Sequence, residues 1–120
     1  MLEFIGSPTQ IETPGNVAKI VEEYFGLINS GESRVSIAHV RSPAGWEGPG
    51  QCPDFDEFTI VLRGNLQVEN REGVTEVEAG KAIHNHRHQW VRYSTPKETG
   101  AEYISVCLPA FTRATVHRDF

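Results

Sequence analysis

From Glu57 to Leu108 the sequence is a succession of short β-type runs cut by turn residues. Phe58 to Arg63 is a near-continuous apolar strand. Asn65 to Asn70 alternates, with Leu66 and Val68 opposite Gln67 and Glu69. Arg71-Glu72-Gly73 reads as a turn, Val74 to Val77 returns, and Ala79-Gly80 turns again. Ala82 to His88 and Trp90 to Thr95 are two further strands, and a Pro/Gly loop leads to the last long one, Ala101 to Leu108. Strands this short and this evenly spaced predict an all-β sandwich or barrel.

The N-terminal third is less decided. Residues 1–15 read as an arm in which Leu2, Phe4 and Ile5 could pair as an edge strand. Asn16 to Gly26 fits a helical stripe through Val17, Ile20, Val21, Tyr24 and Phe25, with Asn16 as N-cap. It also fits a hairpin: Lys19 to Ile28, a turn at Asn29-Ser30-Gly31-Glu32, and a return from Arg34 to Arg41. The hairpin is favoured, because the Asn-Ser-Gly turn joins two runs of similar length. Residues 110–120 form a tail, with Phe111, Val116 and His117 as candidates to pack back on the barrel or on a second subunit.

Bulk properties narrow the function classes. One domain is expected from 120 residues. A net charge of −5 leaves no basic stripe to neutralise phosphates, which argues against nucleic acid. The sequence shows no signal peptide and no apolar run approaching a membrane span. Cys52 and Cys107 lie far apart without a CxxC pattern, so a reduced, cytoplasmic chain is expected.

The stretch Gly45 to Gly64 carries a more specific signal. A Gly/Pro-rich loop runs to Pro53, Asp54, Asp56 and Glu57 follow, and six residues stand between Glu57 and Gly64. In this the sequence resembles the small single-domain cupins, whose first motif places a metal-ligand Glu six residues before a turn Gly. The resemblance covers roughly residues 35–110 and implies an antiparallel double-stranded β-helix, the jelly-roll or cupin barrel. It also implies a divalent metal (Zn, Fe, Mn or Ni) on three His and one Glu inside that barrel. Here the chain departs from the pattern. Counting back from Glu57 gives Gln51 and Pro53, or Gly50 and Cys52, where the first two His belong. In the second motif Gly80 fits the turn, but the ligand His falls near Val91 or Trp90.

His84-Asn85-His86-Arg87-His88 offers a substitute. Residues two apart on a strand share a face, and a bend at residues 86–88 would let several imidazoles converge. The resulting candidate metal set is Gln51, Glu57, His86 and His88, with Trp46, Trp90 and Tyr93 as substrate-pocket walls. The opposing possibility is that alternation against Ile83 puts His84 and His86 outside the barrel or at a subunit contact. Asp54 and Asp56 read as a solvated turn, and Cys107 as core.

Two functional readings stay open on these residues. One is a metal-dependent enzyme of isomerase, cyclase, lyase or dioxygenase type, acting on a small polar or aromatic substrate. The other is a metal-free ligand-binding or sensor barrel, or a structural dimer module. A homodimer is expected, because the apolar arms around Phe4-Ile5 and Phe111 need cover.

Overall fold

One strand organises the whole molecule. The computed structural model describes residues 1–119, and its nine strands are β1 Thr9–Ile11, β2 Ile20–Phe25, β3 Ser36–Ser42, β4 Trp46–Glu47, β5 Asp56–Asn70, β6 Gly73–Glu78, β7 Ala82–Asn85, β8 Arg92–Thr95 and β9 Ala101–Leu108. No helix among the described residues is long and apolar enough to cross a membrane. β5 is 15 residues long and serves two sheets. Its first part pairs antiparallel with β7 and β9, and its second with β6 and β8. The order β1-β2-β3-β9-β5-β8-β4, all antiparallel, curls the sheet into a closed-sided barrel.

The expected turn at Gly64 is instead a bend inside β5. Register shifts between Val61 and Arg63, and Gly64 takes φ 75° opposite Ala101. The backbone of Gly100 lies where a side chain on Gly64 would go. Glycine is required there both by its left-handed φ and by the close approach.

The ambiguous segment is β2, and the Asn29–Gly31 turn returns it to β3 as the hairpin reading expected. The turn is held from within. Glu23, only 1% exposed, accepts the backbone N–H groups of Ile28 and Asn29 on Oε2, both at 3.0 Å. β7 and β8 are shorter than expected, because the chain leaves the sheet at Asn85 and re-enters at Arg92.

The main core joins Val21, Val40, Val61, Leu66, Val68, Val77, Val91 and Tyr103. Phe55, Cys107 and Val116, with Phe111 against them, form a second cluster under the tail. The tail is tied down by its backbone: Cys52 N–H donates to the His117 carbonyl, Asp54 N–H to Thr115, and Asp119 N–H to Gly50. Phe111 therefore packs within its own chain, edge-on to Phe55 at 6.0 Å. That removes the C-terminal half of the argument for a covering subunit. Phe4 remains 89% exposed.

Candidate functional site

Strand parity decides what faces inward. On β3 the smaller residues Ser36, Ala38 and Val40 line an interior cavity, while Ile37 and His39 face out. On β5 Glu57 and Thr59 line it, while Phe58 and Ile60 are exposed. Tyr103, Ser105 and Cys107 of β9 complete that wall. The cavity is about 100 Å³.

Glu57 stands at its centre. Its Oε2 accepts the Ser105 hydroxyl at 2.6 Å and its Oε1 accepts the Tyr93 phenol at 3.1 Å. Burial first, and then the charge of Glu57, push the Tyr93 hydroxyl well above its usual range. Tyr93 therefore serves as a neutral donor. Burial also pushes up the Tyr103 phenol, which shares a hydrogen bond with Ser42 at 3.0 Å.

Two cations share this wall. Lys19, just ahead of β2, sets its ammonium 4.0 Å over the Trp46 ring, a cation–π contact. Desolvation lowers its pKa to about 8; Glu57 pulls it up and Arg118 pushes it further down. Arg118 enters from the tail, where it bridges Gln51. Burial, and then Arg113, lower its pKa, against the opposing effect of Glu57. Two cavity-lining side chains also carry buried polar atoms without a hydrogen-bond partner, Thr13 Oγ1 and Trp46 Nε1.

Of the residues singled out from sequence, Gln51, Glu57, Trp46 and Tyr93 line this cavity. His86, His88 and Trp90 do not, so the set Gln51, Glu57, His86 and His88 is not brought together. β7 ends at Asn85, which is buried and pairs with Glu57. Parity then places His84 and His86 on the outer face. His88 has φ 66° and points its ring at Asp54, with 3.4 Å between Nε2 and Oδ1. Trp90 donates its indole N–H to Asp119 at 2.9 Å, and lines an outer depression shared with His84 and His86. Lys19, Ser105 and Arg118 were missed. Nothing local marked Lys19 or Arg118, since both reach the cavity only through the fold; Ser105 could have been found by alternation along β9.

The architecture has many counterparts among solved structures. The polyketide cyclase RemF from Streptomyces resistomycificus superposes with a TM-score of 0.78 at 14% identity, over 100% of this chain and 87% of that one. Oxalate decarboxylase from Bacillus subtilis gives 0.77 at 14% identity, over 99% and 33%. The EutQ protein of Clostridium difficile gives 0.65 at 19% identity, over 78% and 64%. The chain has the cupin fold. No family model matches the sequence. A relative by sequence, named endoribonuclease YbeY, from Myxococcus xanthus strain DK1622, is 32% identical over 106 residues. That is 88% of this chain but 36% of the relative, so the chain spans about a third of its length.

A cupin barrel raises the question of an interior divalent ion. Among the described residues lining this cavity there is no imidazole. The only carboxylates among them are Glu57 and Glu23, and Oε2 of Glu23 is taken twice over by the turn amides. The Cys107 thiol is pushed well up by burial and then by Glu57, which keeps it protonated and a poor ligand. Borderline divalent ions need several imidazole, thiolate or free carboxylate donors. The cavity residues do not fit one.

Proposed function

We propose that this cupin barrel binds a small organic anion, with an apolar or aromatic body, directly on protein groups rather than on an interior metal. The observation that carries the reading is the convergence of Lys19 and Arg118 with Glu57 and Glu23 in one cavity lined mostly by apolar, aromatic and hydroxyl-bearing side chains. Glu23 is engaged by the turn amides and Glu57 by Tyr93 and Ser105, and neither Lys19 nor Arg118 is in a direct ion pair among the described residues, which leaves both cations open to an anion. The unpartnered Trp46 Nε1 and the Thr13 hydroxyl add donors suited to oxygen atoms. Aromatic and aliphatic walls suit the remainder of the ligand. At roughly 10–15 Å³ per water, a cavity of about 100 Å³ suits a ligand of on the order of ten non-hydrogen atoms.

Glu57 gives the site a second, catalytic reading. It is the cavity carboxylate best placed to take a proton from a bound acid, with Tyr93 and Ser105 fixing its orientation. Any such reaction belongs to acid–base chemistry on the ligand itself. The ribonuclease named for the Myxococcus relative finds no support here, because 16 acidic residues outnumber 11 Lys and Arg. The free thiols, Cys52 half-buried and Cys107 buried, support a reducing, cytoplasmic setting. A homodimer is part of this proposal. The dimer now rests on the outer sheet face.

The test is a thermal-shift and calorimetric panel of small mono- and dicarboxylates, with benzoate-like members. Lys19→Met and Arg118→Gln should each weaken the best ligand by roughly 10- to 100-fold, the value of a charge-assisted hydrogen bond. For any ligand whose C–H exchanges with deuterium on the protein, Glu57→Gln should abolish that exchange. A panel with no binder, or binding indifferent to Lys19→Met, would sink the reading.

A further inference from the structure

A second constellation lies outside the barrel and uses none of the cavity residues. β5 begins at Asp56 and β7 ends at Asn85, one residue short of His86. Phe58 and His84 are register partners, and their rings stack at 4.0 Å. The His86 ring follows, 3.9 Å from that of His84 and tilted by 36°. One carboxylate oxygen of Asp56 and one ring nitrogen from each of His84 and His86 all lie within 4.8 Å of one another.

The contacts among these groups are unfinished as hydrogen bonds. His84 Nε2 is shielded from solvent and has no hydrogen-bond partner, although the side chain is 31% exposed. It sits 3.5 Å from Asp56 Oδ1, long for an N–H···O bond. That separation is near the edge of a tetrahedron around an ion with bonds of about 2.0–2.1 Å, roughly 3.3 Å. Meanwhile the Asp56 carboxylate is already aimed. Arg87 donates its backbone N–H to Oδ1 at 2.9 Å and its guanidinium to Oδ2 at 3.1 Å. Ligating carboxylates are commonly oriented by such outer partners.

We propose that Asp56, His84 and His86 form an outer-face site for Zn²⁺ or a similar borderline divalent ion, with the remaining position left to water. Two imidazoles and one carboxylate are the donor set such ions favour. The ion clips the end of β7 to the start of β5. Asp56 and Glu57 are adjacent on one strand and point to opposite faces, so the sheet separates this site from the cavity. The proposal does not depend on what the cavity binds.

The test is Zn²⁺ titration of the metal-stripped, tag-free protein by calorimetry, with elemental analysis after desalting. About one ion per chain is expected, with a rise in melting temperature of about 10 °C at a hundredfold excess over Kd. His84→Asn and His86→Asn should each weaken binding at least tenfold. His117→Gln should leave it intact, although His117 and His88 both approach Asp54, at 2.7 and 3.4 Å. Glu57→Gln should also leave the stoichiometry unchanged. No stoichiometric binding, or binding indifferent to both His variants, overturns the proposal. Should either His variant fail to fold, Co²⁺ absorption on the unaltered protein decides. Intense four-coordinate d–d bands support the site, and a weak six-coordinate spectrum overturns it.

Discussion

Lys19 sets the pH at which the cavity changes character. Its pKa falls from 10.5 to about 8 in the folded chain, chiefly through burial. Below about 8 the ammonium attracts an anion; above it, the amine does not. Affinity for a carboxylate should therefore fall as pH rises through about 8, with a midpoint at or above that value, since a bound anion raises the pKa of Lys19. The stability effect runs the other way. Between about 8 and 10.5 the unfolded chain holds more protons at this position, so stability gains with pH across that window. Calorimetric binding curves and urea midpoints, each measured against Lys19→Met, check both slopes. An affinity that is flat through that window in the unaltered protein would show that Lys19 does not meet the ligand. Sequence could flag Glu57, because its place before an apolar strand and a glycine fixes its parity. Lys19 looked like any solvated charge near an arm, and Arg118 like any residue of a tail. Their importance comes from where β2 and the tail close over the cavity, which no local pattern encodes. The histidines show the converse. Alternation against Ile83 already offers an outer face for His84 and His86, and the buried Asn85 decides for it over the inward alternative.

At the scale of elements, the β runs after Glu57 were readable because alternation and turn glycines agree over most of their length. In the sequence β5 reads as two strands for a physical reason. Gly64 has the signature of a turn, and only the long-range approach of Gly100 shows that the strand bends there instead of reversing. Gly64→Ala should therefore be unusually costly, about 2–4 kcal/mol by urea denaturation, combining a left-handed φ with a backbone clash. Gly45 is the control. It has φ 80° but open space around it, so Gly45→Ala should cost only about 1–2 kcal/mol. Equal costs at the two positions would mean that the bend in β5 is not held by the Gly64–Gly100 contact. The Asn16–Gly26 ambiguity has a similar origin. Both periods fit the apolar residues, and the antiparallel register of β2 with β3, locked by Glu23 across the turn, decides for strand.

For the whole molecule, the outer face of the larger sheet raises the question that the terminal arms first suggested. Cross-strand rows place Ile37, Val106, Phe58 and His84 side by side, and next to them Ile104, Ile60 and Ala82. Phe58, Ile60, Leu62 and Leu108 are 37–50% exposed. Such a contiguous apolar face calls for cover. Its rim carries both signs of charge, with Arg41 paired to Glu22, and Arg63 and His39 both meeting Glu102. A rim of mixed sign can meet its own copy under a two-fold rotation without like charges facing each other throughout. A second copy is therefore the expected occupant. Light scattering at micromolar concentration should give twice the chain mass of 13.4 kDa. Ile60→Glu, which places a charge mid-face without touching the cavity or the imidazole pair, should shift the species to the monomer. It should do so with little loss of intrinsic fold, because Ile60 is already half exposed in the single chain. A monomeric unaltered protein at that concentration would leave the face to a different partner and remove the last structural support for self-association.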